Sequence, residues 1–314
     1  MQLHLNYKPK TSSFKIDHTQ SLFLIGSCFA ENVGEKLYQH GFNALVNPSG
    51  ILFNPLSIYH CLTDIIEDKE IDDSLLLQRN GLHFSYLHHG SIYHQSKEEL
   101  KLNINATQKA AKHFLQSAKY LVITFGTAYV YDLKHDQQTV ANCHKQNNAL
   151  FEKRLVSIDE IVSKFNEVIA NIKKFNQDIQ LIFTVSPVKY LKDGIEENNL
   201  SKSTLLLAID QLSKQTNSNY FPAYELVNDD LRDYRFYKED MAHPNKQAIN
   251  YVWEKFSETF FTEQTKQLNK EVFDISSASQ HQLLHPEGDE AKVFLLNLES
   301  KRKELKEKFP FLNV

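Results

Sequence analysis

The sequence predicts an α/β protein built on a parallel sheet with helices on both faces. Two observations carry that prediction: short apolar runs rich in β-branched residues recur through most of the chain, and stretches of helical periodicity separate them. A third observation sets its limit. After about residue 257 strand signals stop and only helical patterns remain, so residues 1–256 are expected to form the α/β domain and 257–314 a helical extension.

The elements follow in order. "SLFLIG" (21–26) is an apolar run closed by glycine, and "ENVGEKL" begins an amphipathic helix just after it that ends by Gly41. "FNALVN" (42–47) reads as a second strand and "YLVITFG" (120–126) as a third, the latter preceded by the helical "NATQKAAKHFLQSAK" (105–119). "SIDEIVSKFNEVIANIKKFN" (157–176) opens with a Ser157 to Glu160 capping box and places Ile158, Ile161, Val162, Phe165, Ile169 and Ile172 at helical spacing. "IQLIFTVS" (179–186) is the fourth strand, "SKSTLLLAIDQLSKQT" (201–216) a further helix, and "SNYFPAYEL" (218–226) supplies a fifth strand. The end of the chain carries a charged helical pattern from about Glu290 to Phe309, read as a solvated face.

Composition narrows the function classes. Over 314 residues, 41% hydrophobic and 24% charged residues are ordinary for a globular protein, and a net charge of -4 gives no electrostatic reason to expect a nucleic-acid partner. The first residues lack the apolar core of a signal peptide and no apolar run reaches membrane-span length, so a cytoplasmic protein without a membrane partner is expected. Three widely separated cysteines, Cys28, Cys61 and Cys143, argue against a disulfide framework or a thiolate zinc site and fit a reducing compartment.

In an open parallel sheet the residues just after each strand converge on one crevice. Here those are Ser27 and Cys28, then "NPSG" (47–50), "GTAYVY" (126–131) and "SPVKY" (186–190), joined by Asp240 and His243 of the late segment "FYKEDMAHPNKQ". A serine at a helix N-terminus presents its hydroxyl beside backbone N–H groups able to hold an oxyanion. Pro244 reads as the first residue of the last core helix, which makes His243 its N-cap, kept neutral by the positive helix end and therefore a base. Asp240 is placed to orient it.

The order Ser, Asp, His and the D-x-x-H spacing resemble the SGNH (GDSL-like) hydrolase superfamily, and "GSCFA" (26–30) is the motif of the GSCFA-domain family assigned to it. "NPSGILFNP", "TFGTAYVYD", "NCHKQ", "SPVKY", "NLSKS", "YFPAYEL" and "DLRDYRFYKEDMAHP" extend the resemblance over roughly residues 20 to 256. It implies a flavodoxin-like three-layer α/β/α fold and a serine esterase site, with Ser27 as nucleophile and Asp240 and His243 as the remaining triad members. It also implies Gly50 as an oxyanion donor. The superfamily's third block, G-x-N-D, is absent: Gly126, Thr127 and Ala128 stand there, and Thr127, Asn142 or His144 is left to replace the missing asparagine.

Each of these residues has a plainer reading. Ser27 also suits a helix cap; Cys28 suits a small buried residue, a substrate-facing one or the nucleophile itself; Gly50 and Gly126 suit backbone geometry alone. His83, His88, His89 and His94 match no familiar metal spacing, and Arg232 and Arg235 either clamp an anion or pair with neighbouring aspartates. The leading expectation is an esterase acting on a small acyl ester, such as an O-acetyl group on a glycan, that needs neither metal nor organic cofactor. An acyltransferase using the same triad and a non-catalytic ligand-binding module are the alternatives. Oligomeric state is left open.

Overall fold

The computed structural model describes residues 5–279 and 288–312. Its centre is a five-stranded parallel sheet in the order β2-β1-β6-β10-β11, formed by β1 (Leu22–Gly26), β2 (Ala44–Val46), β6 (Tyr120–Phe125), β10 (Gln180–Val185) and β11 (Asn219–Phe221). Register is set at the first residues, with Leu22 opposite both Ala44 and Tyr120, and Gln180 opposite Tyr120. All five residues of β1 are buried, which is why its sequence is a continuous apolar run rather than an alternation.

The two faces of the sheet own separate cores. Phe23 and Ile25 point into one, with Leu121, Ile123, Phe183 and the apolar faces of α2 (Pro55–Glu67), α3 (Lys97–Ser117), α4 (Ile158–Phe175) and α5 (Ile195–Thr216). Leu22 and Leu24 point into the other, against Phe29, Val33 and Leu37 of α1 (Cys28–Gln39) and Val252, Phe256 and Phe260 of α7 (Lys246–Phe260). Period-two alternation along one strand thus feeds both layers and gives the three-layer α/β/α arrangement. At about 2 kcal/mol per buried large apolar side chain, these layers are the main favourable contribution to folding.

Capping decides where the helices begin. Ser157 accepts the Glu160 N–H at 3.1 Å, as the capping box predicts. Helix α3 starts eight residues earlier than its periodicity suggests, because Ser96 accepts the Glu99 N–H at 3.3 Å and starts the helix at Lys97. A single turn, α6 (Ala223–Glu225), runs into a π-helical turn at Leu226–Leu231.

Two small antiparallel sheets have no counterpart in the sequence reading. One is β3 (Leu76–Arg79), β4 (Leu82–Ser85) and β5 (Tyr93–His94); the other is β7 (Tyr129–Leu133), β8 (Thr139–Val140) and β9 (Phe151–Leu155). Their short mixed-polarity strands carry little periodicity, and the buried side chains of Tyr86, Leu133, Val140 and Phe151 pack between them.

The expected boundary after residue 256 falls inside α7. Phe256, Phe260 and Phe261 belong to the sheet's own core, and the Ile16 N–H donates to the Phe260 carbonyl at 2.7 Å. Helices α8 (Glu263–Ser279) and α9 (Asp289–Lys308) follow and share a small cluster of Val272, Ile275, Leu305 and Leu312. Among the described residues no helix is long and apolar enough to cross a membrane.

Candidate active site

The site begins where β1 ends. Gly26 sits at φ +138°, and a Cβ there would lie 2.1 Å from the Thr124 carbonyl oxygen of β6, so only glycine allows the two strand ends this close. Its N–H donates to Asn47 Oδ1 at 2.8 Å, and the Ser27 N–H donates to the Thr124 carbonyl at 3.1 Å. The chain then turns directly into α1. Ser27 is the N-cap: its Oγ accepts the Phe29 N–H at 3.3 Å and the residue is 0% exposed. Cys28, the first helical residue, is partly exposed, and its N–H has no intrahelical acceptor.

The loops after β2 and β6 close on this junction, but their N–H groups are already used. Gly50, at φ +71°, donates to the Asn47 carbonyl at 2.8 Å and is packed under His89. The N–H groups of Gly126 and Thr127 both donate to the Phe53 carbonyl, at 2.8 and 2.9 Å. The Thr127 hydroxyl pairs with Ser201 at 3.1 Å and accepts the Tyr129 N–H at 3.1 Å. The oxyanion role expected of Gly50, and the substitute role expected of Thr127, therefore meet donors committed to loop structure. Gly126 has a steric part instead: a Cβ on it would come within 2.8 Å of the Phe53 carbonyl and 3.3 Å of both Ser27 Cβ and the Tyr190 hydroxyl.

Asn142 and His144 bond within the 142–147 loop and to the residue that ends β4. Asn142 Oδ1 accepts the His144 N–H at 2.7 Å, while the buried His144 ring bonds the Ser85 carbonyl at 2.7 Å and packs on Phe84. That pair fastens the 142–147 loop to the β4 sheet and commits the His144 ring and N–H to these bonds. In the histidine-rich segment His83 faces His94 across β4 and β5, and burial pushes His88 down to about 4. Arg235 pairs with Asp233 at 3.0 Å.

The acid and base do meet. His243 Nδ1 lies 2.7 Å from Asp240 Oδ2, and Asp240 Oδ1 accepts the N–H groups of Ala242 and His243, both at 2.9 Å. Those bonds hold the exposed Asp240 carboxyl down at about 2, so it is ionised at any working pH. An ionised acceptor at Nδ1 requires the proton there, which leaves Nε2 of a neutral ring as the basic nitrogen. The expected helix geometry is corrected. Asn245, not His243, is the N-cap, accepting the Gln247 and Ala248 N–H groups at 3.0 and 3.2 Å, and α7 starts at Lys246. His243 is oriented by Asp240 and by its loop, whose Ala242 carbonyl accepts the Lys189 N–H at 3.1 Å from the segment after β10.

Two residues escaped the sequence reading as site members. Lys202 on α5 is 1% exposed, and its Nζ donates to the carbonyls of Gly126 at 2.6 Å and Ser186 at 2.7 Å, joining the ends of β6 and β10. Burial pushes it down to about 7, with Cys28 as the one group acting the other way. The available signal was its place on an apolar face with Leu205, Ile209 and Leu212. The second is Tyr190, whose hydroxyl faces Gly126 and has no hydrogen-bond partner among the described residues. Burial raises it well above the usual phenol range, so it stays a donor.

The five parallel strands, numbered among themselves, run 2-1-3-4-5, the flavodoxin-like order, with a helix N-terminus carrying Ser27 and Cys28 at the end of the first strand and an Asp240-bonded His243 on a later loop. Residues 21–256 match the model of the GSCFA family, and the chain belongs to that family. Among solved structures it is similar to an acetyl-xylooligosaccharide esterase from a Geobacillus, at 12% identity with a TM-score of 0.42, covering 80% of this chain and 98% of that one. It is also similar to a carbohydrate esterase family 3 protein from Talaromyces cellulolyticus, at 9% identity with a TM-score of 0.37 and coverage of 80% and 98%. A curated relative is the galactose/methyl galactoside import ATP-binding protein MglA of Pasteurella multocida, 24% identical over 147 residues. That match spans 46% of this chain and only 28% of the relative.

Proposed function

We propose that the protein is an esterase that transfers a small acyl group from an ester to water through the Ser27–Cys28 junction. The 2.7 Å contact between His243 Nδ1 and Asp240 Oδ2 carries this reading, because it fixes the ring's orientation and leaves Nε2 to act as the base, on the loop bonded to the strand-end crevice. A nucleophile of the junction attacks the ester carbonyl and gives its proton to His243, which then protonates the leaving alcohol. The carbonyl oxygen, becoming negative, is met by the Cys28 N–H at the positive end of α1 and by the Tyr190 hydroxyl. Water enters by the same base in the second half, releasing the acid.

The substrate class we assign is an O-acetyl ester, including one carried on a carbohydrate. Turnover of p-nitrophenyl acetate and of acetylated xylo-oligosaccharides tests the reading. Acetate release is expected, with His243→Ala reducing kcat/KM by about two to four orders of magnitude. Binding of the oligosaccharide without acetate release from any ester would sink the esterase and favour a binding module. Transfer of the acetyl group to an added sugar in preference to water would reassign it as an acyltransferase.

A further inference from the structure

The junction offers two nucleophiles, and the geometry treats them differently. Ser27 is 0% exposed, and its Oγ is engaged as the cap acceptor of the Phe29 N–H. Its Cβ is walled by Gly126, where even a methyl group would stand 3.3 Å away. An incoming carbonyl would have to displace the groups that cover that hydroxyl and compete with the Phe29 N–H for it. Cys28, one residue on, is partly exposed, and no hydrogen-bond partner holds its thiol among the described residues other than its own backbone N–H.

Charges of both signs act on the thiol: Glu31, three residues on in α1, disfavours a negative sulfur, and Lys202 and Lys238 favour one. Lys202 is buried with no carboxylate in hydrogen-bond reach and with two of its three N–H groups on carbonyls, and Cys28 is the group whose ionisation it senses. Lys238, whose N–H donates to the His243 carbonyl at 2.7 Å, also favours a negative Cys28. Burial first, and Glu31 after it, outweigh the two lysines and raise the resting thiol, so the free sulfur is kept protonated until a base takes its proton. A buried amine that burial brings down to about 7 holds its proton more firmly once the sulfur carries negative charge, so the two charges form together.

Building on the esterase reading, we propose that Cys28 Sγ, not Ser27 Oγ, carries the acyl group as a thioester, with Lys202 a positioning residue that supplies the counter-charge. Cys28 passes its S–H proton to His243 Nε2 as the sulfur–carbon bond forms, and the ester carbon–oxygen bond breaks with that proton leaving on the alcohol. Water then attacks the thioester, His243 takes and returns one proton, and a carboxylic acid and free thiol result. Ser27 serves as the cap that sets Cys28 at the first position of α1.

The test is acid-quenched intact mass and peptide mapping of the full chain after mixing with p-nitrophenyl acetate. A single acetyl group on Cys28, released by neutral hydroxylamine, lost in Cys28→Ala and still formed in Ser27→Ala, is the expected result. An acetyl group on Ser27, or turnover in Cys28→Ala within about threefold of wild type, overturns the proposal. Alkylation by iodoacetamide separates its failure from that of the esterase. If no ester acylates the protein but Cys28 reacts about tenfold faster than Cys143, which is also partly exposed, and Lys202→Met moves the pH midpoint of that reaction upward, the thiol nucleophile stands and the ester substrate falls. Cys28 reacting no faster than Cys143 overturns the inference itself.

Discussion

Asp240 and His243 show how three residues of sequence spacing become chemistry only through a loop that folds back on itself. The two backbone N–H bonds to Asp240 Oδ1 fix the carboxylate first, and its other oxygen then fixes the ring. Asp240→Asn keeps the size and loses the charge, which permits the wrong tautomer; kcat is expected to fall by about two orders of magnitude or more with KM little changed, measured on p-nitrophenyl acetate. Lys202 makes a different prediction. Burial holds it near 7, below its ordinary 10.5. Between those values the unfolded chain binds a proton that the folded one lacks, so stability rises with pH across that window, and below it the whole cost of the buried charge is present. The unfolding free energy of wild type minus that of Lys202→Met should therefore climb by about 1 kcal/mol per pH unit between roughly pH 7 and 10, read from urea melts. A flat difference would mean that Lys202 is not held neutral by burial.

At the scale of elements, the site depends on how closely β1 approaches β6. Gly26→Ala puts a methyl group 2.1 Å from the Thr124 carbonyl at a backbone angle that disfavours any side chain. A loss of more than about 3 kcal/mol, or no soluble protein, is the expected outcome. Asn47 is the milder test. It sits at φ +46° and its Oδ1 takes the buried Gly26 N–H, so Asn47→Ala should cost about 1–2 kcal/mol and loosen the Ser27 turn. A thermal melt together with the acylation rate checks both effects. Helix α1 itself needs little beyond its sequence, since Phe29, Val33 and Leu37 bury one face and Ser27 caps the start.

For the molecule as a whole, the two core clusters are unequal to the appendix that follows them. The sheet is buried on both faces, whereas α9 rests on a few apolar side chains of α8 and leaves Val293, Leu295 and Leu296 exposed. Native-state hydrogen exchange should therefore show α9 amides opening well below the global unfolding free energy and the amides of β1, β6 and β10 opening only with it. Equal protection would mean that the appendix folds as one unit with the sheet.

The parallel sheet was legible in the sequence because a strand buried on both faces must be an apolar run, and "LFLIG", "YLVITF" and "QLIFTV" are such runs. The turn at Gly26 into a capped helix and the Asp240–His243 spacing were legible because caps and short loops are local. The small sheets were not, since strands as short as Tyr93–His94 have no periodicity of their own. Nor were the committed donors of Gly50 and Thr127, the anchoring of His144, the choice of Asn245 as cap, or the burial of the Lys202 amine. Those depend on which carbonyl or hydroxyl lies within about 3 Å, a long-range fact that only packing decides. The sequence by itself determined that a serine and a cysteine stand at the end of the first strand; tertiary structure decided that one is enclosed as the helix cap and the other stays partly exposed, because neighbouring loops, not chain neighbours, close over Ser27.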